Sequence, residues 1–270
     1  VLRLTPIPRP GQRVHVAALQ IIPEPINRRE GQDFFGNRLT WVEIEEPHRT
    51  LTVKLAARVT VDTAAEFNPL ATPAWDAVRD EAFATSDIGP HSPAHFLFPS
   101  RMVSLDPEIR DYTRESFPPG RPVLDAAIEL MNRLKDEITY DTGATTVTTM
   151  PPMSFALRRG VCQDFAHIMI SGLRGIGLPA PYVSGYLRTM PRSDPTRLQG
   201  ADAMHAWVLV WCGAETGWIG LDPTNAVIAS DQHVVLAVGR DYTDVAPMDG
   251  VIVGSGGQQI DVAVNVTPAG

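Results

Sequence analysis

Cysteine is almost absent: Cys162 and Cys212 are the only two in 270 residues. Two thiols cannot build a disulfide framework, so a hydrophobic core must hold the fold, and a reducing cytoplasm is the expected compartment. Lysine is as scarce, with Lys54 and Lys135 alone among 23 basic residues. Against 31 acidic residues the formal net charge is −8. The basic residues are scattered, and without a dense cluster the electrostatic footprint of nucleic-acid binding is missing. Long apolar runs are missing too. Ala206–Cys212 and Val234–Val238 are typical, far short of the ~20 residues that span a bilayer, so no membrane partner is expected. No charged segment followed by an apolar stretch opens the chain, so no signal peptide is visible. The start at Val1 without methionine leads us to expect a trimmed N-terminus. There is no internal repeat and no low-complexity tract.

At 44% hydrophobic, the chain can build one large domain or two modest ones. Residues 1–62 read as strands. Arg13–Leu19, Arg38–Ile44 and Leu51–Val61 are the runs, with Leu51, Val53 and Leu55 alternating against Thr52 and Lys54. Gly36-Asn37 is a hairpin signal. Residues 63–120 are rich in proline and weakly periodic. This predicts a β-rich N-terminal domain over residues 1–100 and a core domain with a C-terminal strand over residues 101–270. In the core, Val123, Leu124, Ala127, Ile128, Leu130, Met131, Leu134 and Ile138 recur at helical spacing after Pro122. A second helix is predicted from Cys162 to about Ile176, stopped by Gly177. Strands follow at Tyr182–Leu187, His205–Cys212, Gly217–Asp222, His233–Val238 and Ile260–Val266. Strands, then helices, then strands give an α+β fold class.

Cys162 falls in the first turn of its helix, after Gly160. Unpaired backbone N–H groups and the helix dipole there favour a thiolate, and the same N–H groups suit an oxyanion. A buried, inert helical cysteine is the bland alternative. The choice turns on a partner base. His167 lies about 140° around the helix at ~100° per residue, so it reads as structural. His205 opens the strand "HAWVLVWC" and is the better base. "HAWVLVWCGAETGWIGLDP" reads as a hairpin. Pairing Cys212 with Gly217 sets Trp211 opposite Trp218 and makes His205 and Asp222 diagonal neighbours on one face. A register slip of one would separate them. Trp207, Trp211 and Trp218 share that face and read as core more readily than as a substrate platform. Asp222 alone would be a turn-forming Asp-Pro. With Cys162 and His205 it completes a set in which a carboxylate orients an imidazole beside a nucleophile. Cys212 points away from His205 and reads as packing, not as a bridge to Cys162. A metal site from Cys162, His205 and Asp222 would lack the close ligand pairs usual for zinc, and no metal or other cofactor is expected.

The stretches "RRGVCQDFAHIMISGLRGIGLPAPYVSGYL", "DAMHAWVLVW" and "GWIGLDPTNA" resemble the bacterial transglutaminase-like superfamily, in order and in spacing. The tail "HVVLAVGRDYTDVAPMDGVIVGSG" and the N-terminal "LRLTP", "FGN" and "PHRTLTV" are similar to the same family and its β-rich N-terminal domain. The resemblance covers nearly the whole chain. Members usually carry one more strand ahead of "LRLTP". It implies a papain-like core with Cys162 as nucleophile, His205 as base then acid, and Asp222 as orienting carboxylate. It also implies that Asp164 and His167 are structural parts of the motif. Gln163 is a candidate second oxyanion donor. No acidic loop matches the calcium sites of animal transglutaminases.

Three functions follow as expectations. The first is thiol acyl transfer on a peptide or glutamine-type amide in a peptide or protein substrate, with hydrolysis favoured over crosslinking to an amine. The second is a non-catalytic binding or assembly module, since a fold does not guarantee its chemistry. The third is a metal-dependent hydrolase. Substrate identity and oligomeric state are not legible.

Overall fold

The structure is a computed structural model that describes residues 1–269 except 64–67, 191–197, 200–202 and 255–256. Asp202, Ser255 and Gly256 of the motifs above lie outside the described residues.

Four strands come first: β1 (Gln12–Ile22), β2 (Asn27–Gln32), β3 (Arg38–Glu43) and β4 (Thr52–Val61). β1 pairs antiparallel with β4, and β2 with β3. The β2–β3 turn is built by Asp33, whose Oδ1 accepts the Phe35 and Asn37 N–H groups at 2.9 Å each. Gly36 takes φ +79° there, a conformation that glycine adopts at no steric cost. β2 carries no apolar alternation and is exposed along its length, so no periodic signal marks it.

The helical part follows, with α1 (Trp75–Ala84), α2 (Pro107–Arg114), α3 (Val123–Glu137), β5 (Thr139–Tyr140), α4 (Pro151–Leu157), β6 (Arg159–Gly160) and α5 (Cys162–Gly175). Then come β7 (Tyr182–Leu187), β8 (Met204–Trp211), β9 (Trp218–Asp222), β10 (Val227–Ile228), β11 (His233–Gly239) and α6 (Tyr242–Val245). β7 to β11 form one antiparallel sheet in the order β10-β9-β8-β7-β11.

The main core joins α3, α5 and one face of β8. Leu124, Leu130, Leu134, Phe165, Met169, Leu173, Val208 and Val210 are all buried in it. α5 is buried nearly all round, and Gly172 lets it approach α2, because a Cβ there would lie 2.0 Å from Thr113 Oγ1. Val78, Ala82 and Leu97 belong to the same cluster. α1 packs against α3 and the turn at residues 93–96. The other face of β8 supplies Trp207 and Leu209 to a smaller cluster with Ile7, Val183 and Val235.

Two amide side chains tie the N-terminal strands to β11. Gln12 donates to Val235 O at 2.8 Å and accepts from Val235 N–H at 2.7 Å. Asn37 does the same with Val238, at 2.8 and 2.7 Å. These side chains act as peptide groups and cover an edge strand whose open N–H and C=O groups would otherwise invite pairing. With that edge covered, the strand expected at Ile260–Val266 has nothing to join. It is not a strand; Val266 only exchanges hydrogen bonds with Thr189, at 2.8 and 2.9 Å, while Ile260 and Val262 face solvent.

Candidate active site

Cys162 is held by a local device. The Asp164 carboxylate folds back and accepts the Val161 N–H at 2.8 Å and the Thr145 hydroxyl at 2.6 Å. It lies over Gly160, where a Cβ would be 2.6 Å from it, which is why the residue two before Cys162 must be glycine. β6 pairs in parallel with β5, setting Gly160 beside Tyr140. Burial raises the Asp164 carboxyl and its hydrogen bonds work against that rise. Cys162 begins α5 and is partly exposed.

His205 and Asp222 come from adjacent strands in the register expected. Trp211 pairs with Trp218 and Val208 with Leu221, and the Cys212 N–H reaches Gly217 O at 2.9 Å. On that register His205 Nε2 lies 2.8 Å from Asp222 Oδ2, with both side chains fully buried. Nε2 therefore donates to Asp222, and Nδ1 points away from that bond. Nδ1 is buried and has no formed hydrogen bond. The Cys162 thiol lies alongside it, near enough to interact but short of good hydrogen-bond geometry, as catalytic pairs often are before substrate binds. Burial alone would push the imidazolium pKa of His205 down. The Asp222 and Cys162 charges and hydrogen bonding outweigh it and push the value up to about 10. Burial opposes ionisation of Asp222, but His205 and His233 hold its pKa well below the usual carboxylate range.

Asp222 is the most heavily bonded side chain of the site. Its Oδ1 accepts the Thr224 and Asn225 N–H groups at 3.0 and 3.3 Å. Its Oδ2 accepts from Asn225 Nδ2 at 2.7 Å and from His233 Nε2 at 3.2 Å, besides His205. Asn225 and His233 escaped sequence reading. Asn225 stands three residues after Asp222 in "DPTN", a spacing suited to a turn that wraps the carboxylate. His233 opens its strand as His205 does, a parallel that was available. Tyr140 was also missed. Burial, and then the Cys162 and Asp222 charges within electrostatic range, push its phenol up to about 12.

The remaining candidates sort plainly. Gln163 is buried and its side-chain amide donates to Val147 O at 2.9 Å, so that amide is engaged away from Cys162. His167 accepts the Tyr242 N–H on Nε2 at 3.2 Å and packs against Tyr182 with ring centres 5.0 Å apart. Cys212 is free and fully buried on the α5-facing side of β8, and burial pushes its thiol up to about 12. Trp207 stacks on His205, with ring centres 6.2 Å apart and planes 27° apart. Trp211 and Trp218 pack into the main core. Among the described residues no three His, Cys, Asp or Glu side chains are placed to hold a metal ion.

A cysteine on a helix N-terminus, an imidazole on a strand and a carboxylate on the next strand, in this α+β frame, define the papain-like cysteine class. A candidate cysteine protease from Cytophaga hutchinsonii has the same fold, with TM-score 0.65 at 22% identity, over 91% of this chain and 77% of that one. Residues 110–223 match the transglutaminase-like superfamily and residues 1–60 the bacterial transglutaminase-like N-terminal region. An uncharacterized protein of Mycobacterium tuberculosis is 37% identical over 272 residues, covering 98% of this chain and 85% of its own length. A Mycobacterium leprae protein is 32% identical, covering 98% and 90%. The chain belongs to the transglutaminase-like superfamily. A protein-glutamine gamma-glutamyltransferase of Pseudomonas aeruginosa is 29% identical over 146 residues, 52% of this chain and 22% of that one. No helix among the described residues is long and apolar enough to cross a membrane.

Proposed function

We propose that the chain is a cysteine-dependent acyl-transfer enzyme that hydrolyses peptide or glutamine-type amide bonds. The observation that carries this reading is His205, fixed through Nε2 by Asp222 and presenting an otherwise unbonded Nδ1 to Cys162. Nδ1 holds the proton that the Cys162 thiol has given up, and Cys162 Sγ attacks the carbonyl carbon. A C–S bond forms, and the carbonyl oxygen becomes an oxyanion facing the first-turn N–H groups of α5. The C–N bond then breaks, and the departing amine takes the proton from His205. Water attacks the thioester and returns a proton to His205, and the C–S bond breaks to release the acid. Asp222 stabilises the imidazolium in both halves and is not itself protonated.

An amine in place of that water would give transfer instead of hydrolysis, and the name of the Pseudomonas aeruginosa relative favours that second reading. A single assay separates the two. Glutamine-containing peptides are incubated with and without a fluorescent primary amine, following ammonia, new termini and incorporated label. New termini or ammonia without label support hydrolysis. Label incorporation supports transfer. Turnover that survives Cys162→Ala would remove both. The two unpaired cysteines suit a reducing compartment, and this reading places the enzyme in the cytoplasm.

A further inference from the structure

We propose that His233 is a positioning residue for this reaction, a second imidazole that holds Asp222 Oδ2 against His205 from the far side of the sheet. The inference rests on the acyl-transfer reading of the site and extends it to a residue outside the Cys162, His205 and Asp222 set.

His233 is 3% exposed and begins β11, where it pairs with Leu187 of β7. The Ser230 N–H donates to its Nδ1 at 3.3 Å. That bond uses the Nδ1 lone pair, so the ring proton resides on Nε2. Nε2 lies 3.2 Å from Asp222 Oδ2, the same oxygen that accepts from His205. The tautomer follows from the backbone, and it makes His233 a donor, never an acceptor, toward the carboxylate.

The reach is unusual, because β11 and β9 are separated by β7 and β8 in the sheet. Gly185 explains how it is made. It stands on β7 beside His205 on one side and Val235 on the other. A Cβ at Gly185 would lie 2.3 Å from the Trp207 ring and 2.2 Å from Val234 O. The missing side chain lets Trp207 pack against both histidines, whose own ring centres are 6.4 Å apart. It is stacked on His205 and edge-on to His233, with ring centres 5.1 Å apart at 78°. Trp207 thus fixes the planes of both imidazoles that bond Asp222.

The groups facing Asp222 can be named by element. His205 comes from β8, His233 from β11, and Thr224 and Asn225 from the turn after β9. Tyr140 of β5 is within electrostatic range. Thr224 and Asn225 share the turn of Asp222, and Asn225 Nδ2 donates to Oδ2 at 2.7 Å. Among the described residues, His233 and His205 are the side-chain donors that reach the carboxylate from other strands. Without His233, Oδ2 would be held by Asn225 of its own turn and by His205, the group it is meant to orient.

The test uses iodoacetamide alkylation of Cys162, which needs no known substrate, in a Cys212→Ser background. His233→Leu is expected to slow alkylation at neutral pH about 10- to 100-fold, the range for one hydrogen bond to a charged group. His233→Gln keeps an N–H donor near the Nε2 position and is expected to restore most of the rate, which a purely space-filling role would not require. In the unmutated protein, imidazole ¹⁵N NMR at neutral pH should show His233 as the Nε2–H tautomer. That measurement stands even if His233→Leu does not fold. Leu and Gln variants with the parental rate would overturn the proposal, as would an Nδ1–H tautomer. A parental rate that does not depend on His205 would overturn this proposal together with the acyl-transfer reading. Dependence on His205 without dependence on His233 would overturn this one alone.

Discussion

Two histidines in this molecule are equally buried and are driven in opposite directions. His205, at the start of β8, is 2% exposed, and His167, in the middle of α5, is 1% exposed. Burial lowers the pKa of both. His167 accepts a backbone N–H and packs on a tilted tyrosine ring, the Asp241 and Arg174 charges oppose one another, and burial prevails, so its pKa falls to about 4. His205 meets a buried carboxylate at 2.8 Å and a thiol, and its pKa rises to about 10. Burial alone does not make a catalytic base. The partner decides whether a buried imidazole is a neutral packing group or a poised proton carrier.

The harshest way to break the comparison is to remove the poised imidazole. His205→Ala is expected to lower amide turnover by about 10³-fold or more and to slow Cys162 alkylation at neutral pH. The same substitution at His167 should leave alkylation of the folded fraction unchanged. Turnover is measured on whichever peptide the substrate screen yields, and alkylation by mass spectrometry.

Asp222→Asn comes next. An amide can donate to Nε2, which reverses the ring tautomer and turns Nδ1 into the N–H, so a loss of about 10² to 10⁴ in kcat/KM is expected. The pH profile sharpens the point. Activity that needs the imidazolium as acid should persist up to the raised His205 value near 10 and fall as pH rises through it. In Asp222→Asn the alkaline limb should move down by more than one pH unit. Linkage has the same sign. The unfolded imidazole has a pKa of ~6.5, so the stability His205 contributes is complete below that and lost as pH rises through about 10.

Much of this site was legible because hairpin registers are rigid. Once Cys212 was paired with Gly217, the period of two placed His205 and Asp222 on one face, and no tertiary information was needed. The α3 and α5 helices were legible for the same kind of reason, since their apolar residues recur at helical spacing. What stayed hidden depends on packing. α1 and α2 show no clear apolar periodicity, because each buries only two side chains. The His233 contact crosses two intervening strands and relies on a glycine, which no local pattern reveals. The tail at residues 260–266 has strand-like alternation, but β11 is already covered by Gln12 and Asn37.

A smaller effect tests the other histidine. His167 has its pKa lowered to about 4 against ~6.5 unfolded, so unfolding takes up a proton between those values. Stability attributable to this group is complete above pH ~6.5 and declines as pH falls toward 4, by about 3 kcal/mol at most. His167→Gln, which keeps an acceptor for the Tyr242 N–H, should flatten that part of the pH–stability curve. Denaturant midpoints at pH 7 and pH 4.5 measure the difference, and a parental slope in the variant would mean that another group carries it.

The smallest effect concerns the two thiols, which differ as the two histidines do. Cys212 is completely buried and its thiol is pushed up to about 12, whereas Cys162 is partly exposed and lies beside an imidazole. Iodoacetamide should label Cys162 alone in the folded protein, and Cys212 only after unfolding. Cys212→Ala removes one sulfur from the α5-facing layer and should cost about 1 kcal/mol, with Cys162 alkylation unchanged. The two readouts separate packing from chemistry. A Cys212 variant that lost stability and also slowed Cys162 would show that the hairpin register, not only the side chains on it, depends on the residue at its end. The His205–Asp222 pair would then be the first casualty, because a slip of one residue puts the two on opposite faces.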